Sequence, residues 1–160
     1  TALKQEVVAA EDLQAAVKWM TRLNLDASQC AVACGVHSAT DVTGFSFLGH
    51  AYEMAQTSGV GFQISFDRIP LLENALPYAS KFIFPGGAYD NRSFFESHVR
   101  IQRELSEDLQ MMLYDPQTSG GLLLAVPAGR CDEFISRMAE RNAQAWQVGE
   151  VIKGEGILIS

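Results

Sequence analysis

The stretch "GVGFQISF", Gly59 to Phe66, decides how the rest of the chain is read. Val60, Phe62, Ile64 and Phe66 alternate with Gly61, Gln63 and Ser65. A period of two describes a strand with one apolar face and one semi-polar face. Just upstream, Phe47, Leu48, Ala51, Met54 and Ala55 recur at helical spacing between Gly44 and Ser58. Gly59 suits the position that closes such a helix with a positive φ.

Working outward, a first helix is expected from Ala10 to Leu23, with Leu13, Ala16, Val17, Met20 and Leu23 facing in. A second follows Asp26-Ala27-Ser28 and carries Cys30, Ala33 and Cys34 to Gly35. His37 to Thr40 is a short extended piece, and Pro70 to Tyr78 a short helix or turn. "FPGGAYDN", Phe84 to Asn91, reads as a loop because Pro85-Gly86-Gly87 disfavours regular structure. A helix is expected from Ile101 to Leu113, broken by "DPQTSGG", Asp115 to Gly121. Leu122 to Val126 is continuously apolar, as in a buried central strand. A helix from Ala128 to Arg141 shows Cys131, Phe134, Ile135 and Met138. Two strands, Trp146–Ile152 and Ile157–Ile159, close the chain around the hairpin-type turn Lys153-Gly154-Glu155-Gly156. The fold class is therefore α+β: a small mixed or antiparallel sheet of about four strands with helices packed on one face.

At 160 residues, with 48% hydrophobic and 19% charged side chains, the chain suits one well-buried domain. Its 12 basic and 19 acidic residues leave a net charge of −7. No basic cluster is present to displace counterions, so nucleic acid is excluded as the expected partner. No apolar run approaches the about 18 residues of a membrane span, and no secretion signal is expected. Three cysteines without secretory context point to reduced thiols and a cytoplasmic location. Cys30 and Cys34 share a helix face without further ligands at metal spacing, so they read as small buried residues, and Cys131 likewise. His50 falls on a helix and reads as a satisfied, partly buried side chain.

Two segments combine an acid, hydroxyls and glycines: "TDVTGF", Thr40 to Phe45, and "DPQTSGG". In the first, Thr43 and Gly44 lead into a helix, whose opening N–H groups lack internal partners and face anions. Asp41 repels an anion unless a cation lies between them, which is the arrangement of a Mg²⁺–phosphate site. The alternative is purely local: Thr43 caps the helix and Asp41 favours its dipole. In the second segment, Pro116 accounts for a helix stop, while Thr118, Ser119 and Gly120 offer hydroxyls and N–H groups suited to phosphate oxygens. No Walker A spacing is present.

"TDVTGFSFLGHA", then "PGG" with a downstream Asn, then "DPQTSGGLLLAV" and "VGEV" together resemble the C-terminal half of selenophosphate synthetase (selenide, water dikinase) from Ala9 to the end. The wider superfamily contains aminoimidazole ribonucleotide synthetase, thiamine-monophosphate kinase and a hydrogenase maturation dehydratase. The resemblance implies an aminoimidazole ribonucleotide synthetase-like C-terminal domain and an enzyme that turns selenide, ATP and water into selenophosphate, AMP and phosphate. It implies a two-domain, homodimeric protein in which residues 1–160 are the C-terminal domain. The partner N-terminal domain carries the catalytic Cys or selenocysteine and most ligands for ATP and Mg²⁺. No catalytic residue is then expected in this chain, and the 160 residues alone are expected to be inactive. Asp41 matches the family's metal-binding aspartate, while Thr43, Gly44, Thr118, Ser119 and Gly120 are expected to line the cleft near the phosphates. One departure is visible: Ser46 stands where the common pattern has Gly, a change expected to matter little inside a helix. A relative within the superfamily is the alternative, and a non-catalytic binding module is the reading that needs no resemblance at all.

Overall fold

The computed structural model describes all 160 residues. Its elements run α1 (Ala10–Met20), α2 (Leu25–Cys34), β1 (Ser38–Asp41), α3 (Ser46–Ser58), β2 (Gly61–Ile64), α4 (Ala75–Ala79), α5 (Gly86–Phe95), β3 (Val99–Ile101), α6 (Glu107–Leu113), β4 (Leu122–Ala125), α7 (Cys131–Glu140), β5 (Gly149–Ile152) and β6 (Gly156–Ile159). The strands form two sheets: a mixed one in the order β3-β6-β2-β5, and the antiparallel pair β1-β4.

The alternation at Gly59–Phe66 does what its period requires. Phe62, Ile64 and Phe66 are buried, while Gln63 and Ser65 are half-buried on the other side. The apolar face meets α3, whose Leu48, Ala51, Met54 and Ala55 are buried at helical spacing. Ile157 and Ile159 of β6 lie beside Phe62 and Ile64 in parallel register and join the same core. Each such side chain taken from water contributes about 1.5–3 kcal/mol before cavity terms are counted. The α+β class, the mixed four-stranded sheet and the packing of α3 onto it agree with the sequence reading. Gly59 closes α3 with φ +65°, as expected.

The terminal strands depart from a simple hairpin. β5 pairs antiparallel with β2, and β6 pairs parallel with β2, so β2 lies between them. The Lys153–Glu155 connection therefore steps over the start of β2 instead of joining two bonded neighbours. Turn chemistry marks a reversal; it carries no information about a strand inserted from elsewhere.

Leu122–Val126 is not a central strand. β4 pairs only with β1, and its residues are half-buried. Its run is apolar on both faces because each face has its own core. Leu123 and Ala125 pack on the α3 cluster, whereas Leu124 and Val126 pack on a second cluster built from Cys30, Ala31 and Cys34 of α2 and Phe134 and Met138 of α7. Cys30 and Cys34 are the small buried residues expected, and Cys131 is half-buried.

Three helices differ from their sequence readings. The first ends at Met20, and Val17, Met20 and Leu23 lie exposed. Residues 101–113 split into edge strand β3 and helix α6, because Val99–Ile101 pairs parallel with β6. "PGGAYDN" is helical: α5 begins at Gly86 and buries Ala88, Asn91 and Phe95. Those three positions share one face, and their burial outweighs the poor propensity of two glycines in a first turn whose N–H groups need no helical partner.

Candidate functional site

β1 ends at Asp41, opposite Leu122 of β4, with Ala39 opposite Leu124 on the same face of the pair. Ala39, Leu122 and Leu124 line an open apolar groove of about 410 Å³ together with Ala31, Val32 and Val36. Asp41 is exposed, and its partner in the strand pair, Leu122, lines that groove.

Beyond the strands the two acid-and-glycine segments stay joined. Val42 N–H donates to the Gly121 carbonyl at 3.0 Å, and Gly120 N–H donates to the Val42 carbonyl at 2.8 Å. Gln117 N–H donates to the Thr43 carbonyl at 3.0 Å. The approach at Gly120 leaves no room for a side chain: a Cβ there meets the Val42 carbonyl oxygen at 2.9 Å. Asn91 of α5 clamps the junction. Its buried amide donates to the Gly44 carbonyl at 3.0 Å and to the Tyr114 carbonyl at 3.1 Å. Asp41, Thr43, Gly44, Thr118, Ser119 and Gly120 are thus carried on one continuous pair of loops. Thr43 and Ser119 are half-buried; Gly44, Thr118 and Gly120 are exposed.

The N–H groups of Thr43, Gly44, Thr118 and Ser119 donate no hydrogen bond within the chain. Unpaired N–H groups are the donors from which an anion-binding concavity is built. The local alternative for Thr43 is corrected: α3 starts at Ser46, Phe45 occupies the N-cap position, and Thr43 makes no capping bond to the first turn. A turn closed by Ser46 N–H on the Thr43 carbonyl, 3.1 Å, moves the helix start beyond the reach of Thr43. The Thr43 hydroxyl instead lies 3.0 Å from His50 Nε2. His50 is buried and hydrogen-bonded, as its place on a helix suggested.

Ser46 is a larger departure than its chemistry suggested. It is fully buried with φ +71°, a left-handed conformation that suits glycine. Its hydroxyl accepts the Gly49 N–H at 3.3 Å, a long bond against a conformational cost of roughly 1–2 kcal/mol.

The sequence reading assigned no role to Asn91 or Asp115. Burial pushes Asp115 up to about 6, against the hydrogen bond from the Gln117 amide at 3.0 Å. Burial also pushes the neighbouring Tyr114 hydroxyl up to about 12, with the Glu96 charge adding to it and Arg92 opposing it. An Asp opening a Gly-rich segment and an Asn following Pro-Gly-Gly were visible signals, but only their meeting in space gives them a task.

The model for AIR synthase related protein, C-terminal domain, matches residues 3–159. The chain belongs to this family. Among curated relatives of this AIR synthase related domain, "Selenide, water dikinase" of Clostridium botulinum (strain Eklund 17B / Type B) is 38% identical over 156 residues, covering 97% of this chain and 45% of that protein. "Selenide, water dikinase" of Caldanaerobacter subterraneus subsp. tengcongensis is 42% identical over 141 residues, covering 88% of this chain and 41% of that protein. The chain spans less than half the length of the curated relatives it matches. Its fold is shared with the crystal structure of tt0281 from Thermus thermophilus, at TM-score 0.59 and 16% identity over 86% of this chain and 35% of that one. No helix is long and apolar enough to cross a membrane.

Proposed function

We propose that these 160 residues work as the C-terminal domain of a selenide, water dikinase, an ATP-dependent enzyme that forms selenophosphate, AMP and phosphate from selenide, ATP and water. The observation that carries this reading is the joined loop pair. Two segments distant in the chain are zipped together by backbone bonds, leaving an exposed acid beside unpaired N–H groups. The identity of the relatives along nearly the whole chain supports the same reading.

The chain holds no cluster of three His, Cys, Asp or Glu side chains able to bind a metal by itself. The donor set fits Mg²⁺ as a shared site, because that ion binds through one or two carboxylates plus phosphate oxygens and keeps several waters. Asp41 would supply one carboxylate from this side. When bound, the ion neutralises charge on the phosphates of ATP. The chain's own part is to hold the carboxylate at a strand end and to aim the N–H groups of Thr43, Gly44, Thr118 and Ser119 toward those phosphates, with Gly120 keeping the two loops in contact. The apolar groove beside Asp41 is the surface against which an N-terminal domain with the remaining ligands would close. The enzyme is expected to act in the cytoplasm, as a homodimer.

The test is selenide-dependent AMP formation from ATP by the longer protein carrying this domain. That protein should form AMP, while residues 1–160 alone should not turn ATP over. Robust ATP hydrolysis by the 160 residues, or no AMP from the longer protein, contradicts the reading.

A further inference from the structure

His50, Thr43 and Glu53 form a chain of polar contacts that the proposed function does not use. His50 Nε2 lies 3.0 Å from the Thr43 hydroxyl and accepts the Phe45 N–H at 3.4 Å. Its other ring nitrogen, Nδ1, lies 3.3 Å from a carboxylate oxygen of Glu53. The polarity follows from the Phe45 end. A backbone N–H can only donate, so Nε2 carries a lone pair. A neutral imidazole with its lone pair on Nε2 carries its proton on Nδ1, the nitrogen that faces Glu53. The Thr43 hydroxyl must then donate its single proton to Nε2. His50 is held in that orientation by its burial and by the Phe45 ring, 5.6 Å away between centroids.

A hydroxyl whose proton is committed has only lone pairs left to offer. Thr43 is half-buried, two residues along the chain from exposed Asp41 and next to exposed Gly44. We infer that His50 and Glu53 fix Thr43 as an acceptor-only oxygen beside Asp41, so that it receives a hydrogen bond from a water of the hydrated divalent cation and does not donate to a phosphate. Donation to the anion is left to the unpaired N–H groups of the two loops. His50 and Glu53 are positioning residues in this scheme, because they act through Thr43. This assignment rests on the proposed function for the identity of the cation and its nucleotide. The hydrogen-bond polarity does not depend on that reading.

Two readouts on the full-length enzyme decide it. With ¹⁵N-histidine labelling, and His50 assigned by its disappearance in His50→Leu, Nε2 should resonate as an unprotonated ring nitrogen and Nδ1 as a protonated one. A protonated Nε2 overturns the inference. In kinetics, Thr43→Val removes the acceptor with little change of shape. It should raise the Mg²⁺ concentration for half-maximal AMP formation about 10–100-fold, the usual effect of disturbing groups around a metal site. Thr43→Ser should restore it to within about twofold of the parent, and Glu53→Gln should shift it in the same direction as Thr43→Val by a smaller factor. Melting temperatures of Thr43→Val and Thr43→Ser should match, which separates positioning from a merely structural role. An unchanged Mg²⁺ requirement in Thr43→Val, with activity lost in Asp41→Asn, overturns the inference and leaves the proposed function standing. Absence of AMP formation in every variant and in the parent overturns the proposed function, and the ring-nitrogen readout still decides the polarity of Thr43.

Discussion

The α3–β2–β6 core and the loop pair at Asp41 are held by different means. The core is made of apolar side chains, Leu48, Met54, Phe62, Ile64 and Ile159 among them, each buried by several neighbours from separate elements. The loop pair is held by backbone hydrogen bonds at Val42, Thr43 and Gly120 and by the single amide of Asn91. Losing one apolar contact from the first lowers the stability of the whole domain. Losing the clamp from the second should loosen the site while leaving the core intact. The domain thus separates a rigid scaffold from a polar rim, as binding sites carried on loops commonly do.

The largest effect expected is in the core. Phe62→Ala should lower the stability of the domain by about 3–5 kcal/mol, through lost burial and a cavity. Denaturant titration followed by far-ultraviolet circular dichroism would measure it. A loss below about 1 kcal/mol would place the main core elsewhere.

Next comes the clamp. Asn91→Ala leaves the Gly44 and Tyr114 carbonyls without their partner and should cost about 1–3 kcal/mol. Hydrogen exchange should locate that cost: the amides of Gln117 and Gly120 should lose protection more than those of β2 and β6. Uniform loss across both regions would mean that the rim and the scaffold open together.

These two regions also differ in how legible they are. The alternation at Val60–Phe66 announces its buried face, because a strand on one core obeys a local period of two. The apolar run Leu122–Val126 is misplaced by its pattern, because two separate cores produce the same run as a central strand. The insertion of β2 between β5 and β6 leaves no local mark, since pairing partners distant in sequence share no pattern. α5 is hidden by Gly86 and Gly87, whose propensity argues for a loop until Ala88, Asn91 and Phe95 find a surface to bury against. At the site, the acid and the hydroxyls are legible as chemistry. Their joining by Asn91, the partner of the Thr43 hydroxyl and the left-handed backbone of Ser46 are tertiary facts.

Ser46 probes the boundary between rim and scaffold from the opposite direction, since it lies at the start of α3 where the two meet. Ser46→Gly relieves the φ +71° conformation and loses only the long bond to Gly49, and should stabilise the domain by about 1 kcal/mol. A melting temperature raised by a few degrees in differential scanning calorimetry is the expected outcome, and a lowered one would show that the hydroxyl contributes more than the strain.

A further effect concerns pH. Folded Asp115 holds its proton to about 6, whereas in the unfolded chain it titrates at the ordinary 3.8. The folded form therefore binds more protons between those values. Its contribution to stability is complete below the lower one and is lost as pH rises through the upper one. Asp115→Asn should flatten that part of the stability–pH curve and make the domain more stable near neutral pH, as thermal melts across the range would show. An unchanged curve would mean that Asp115 is better solvated than its burial suggests.

Asp41, exposed at the end of β1 beside the joined loops, is the residue on which the metal–phosphate reading depends. Selenide-dependent AMP formation by the full-length enzyme should be largely abolished by Asp41→Asn, while circular dichroism and melting temperature stay close to those of the parent. Retention of activity in a folded Asp41→Asn protein would contradict the assignment of this strand end as one arm of the Mg²⁺–ATP site.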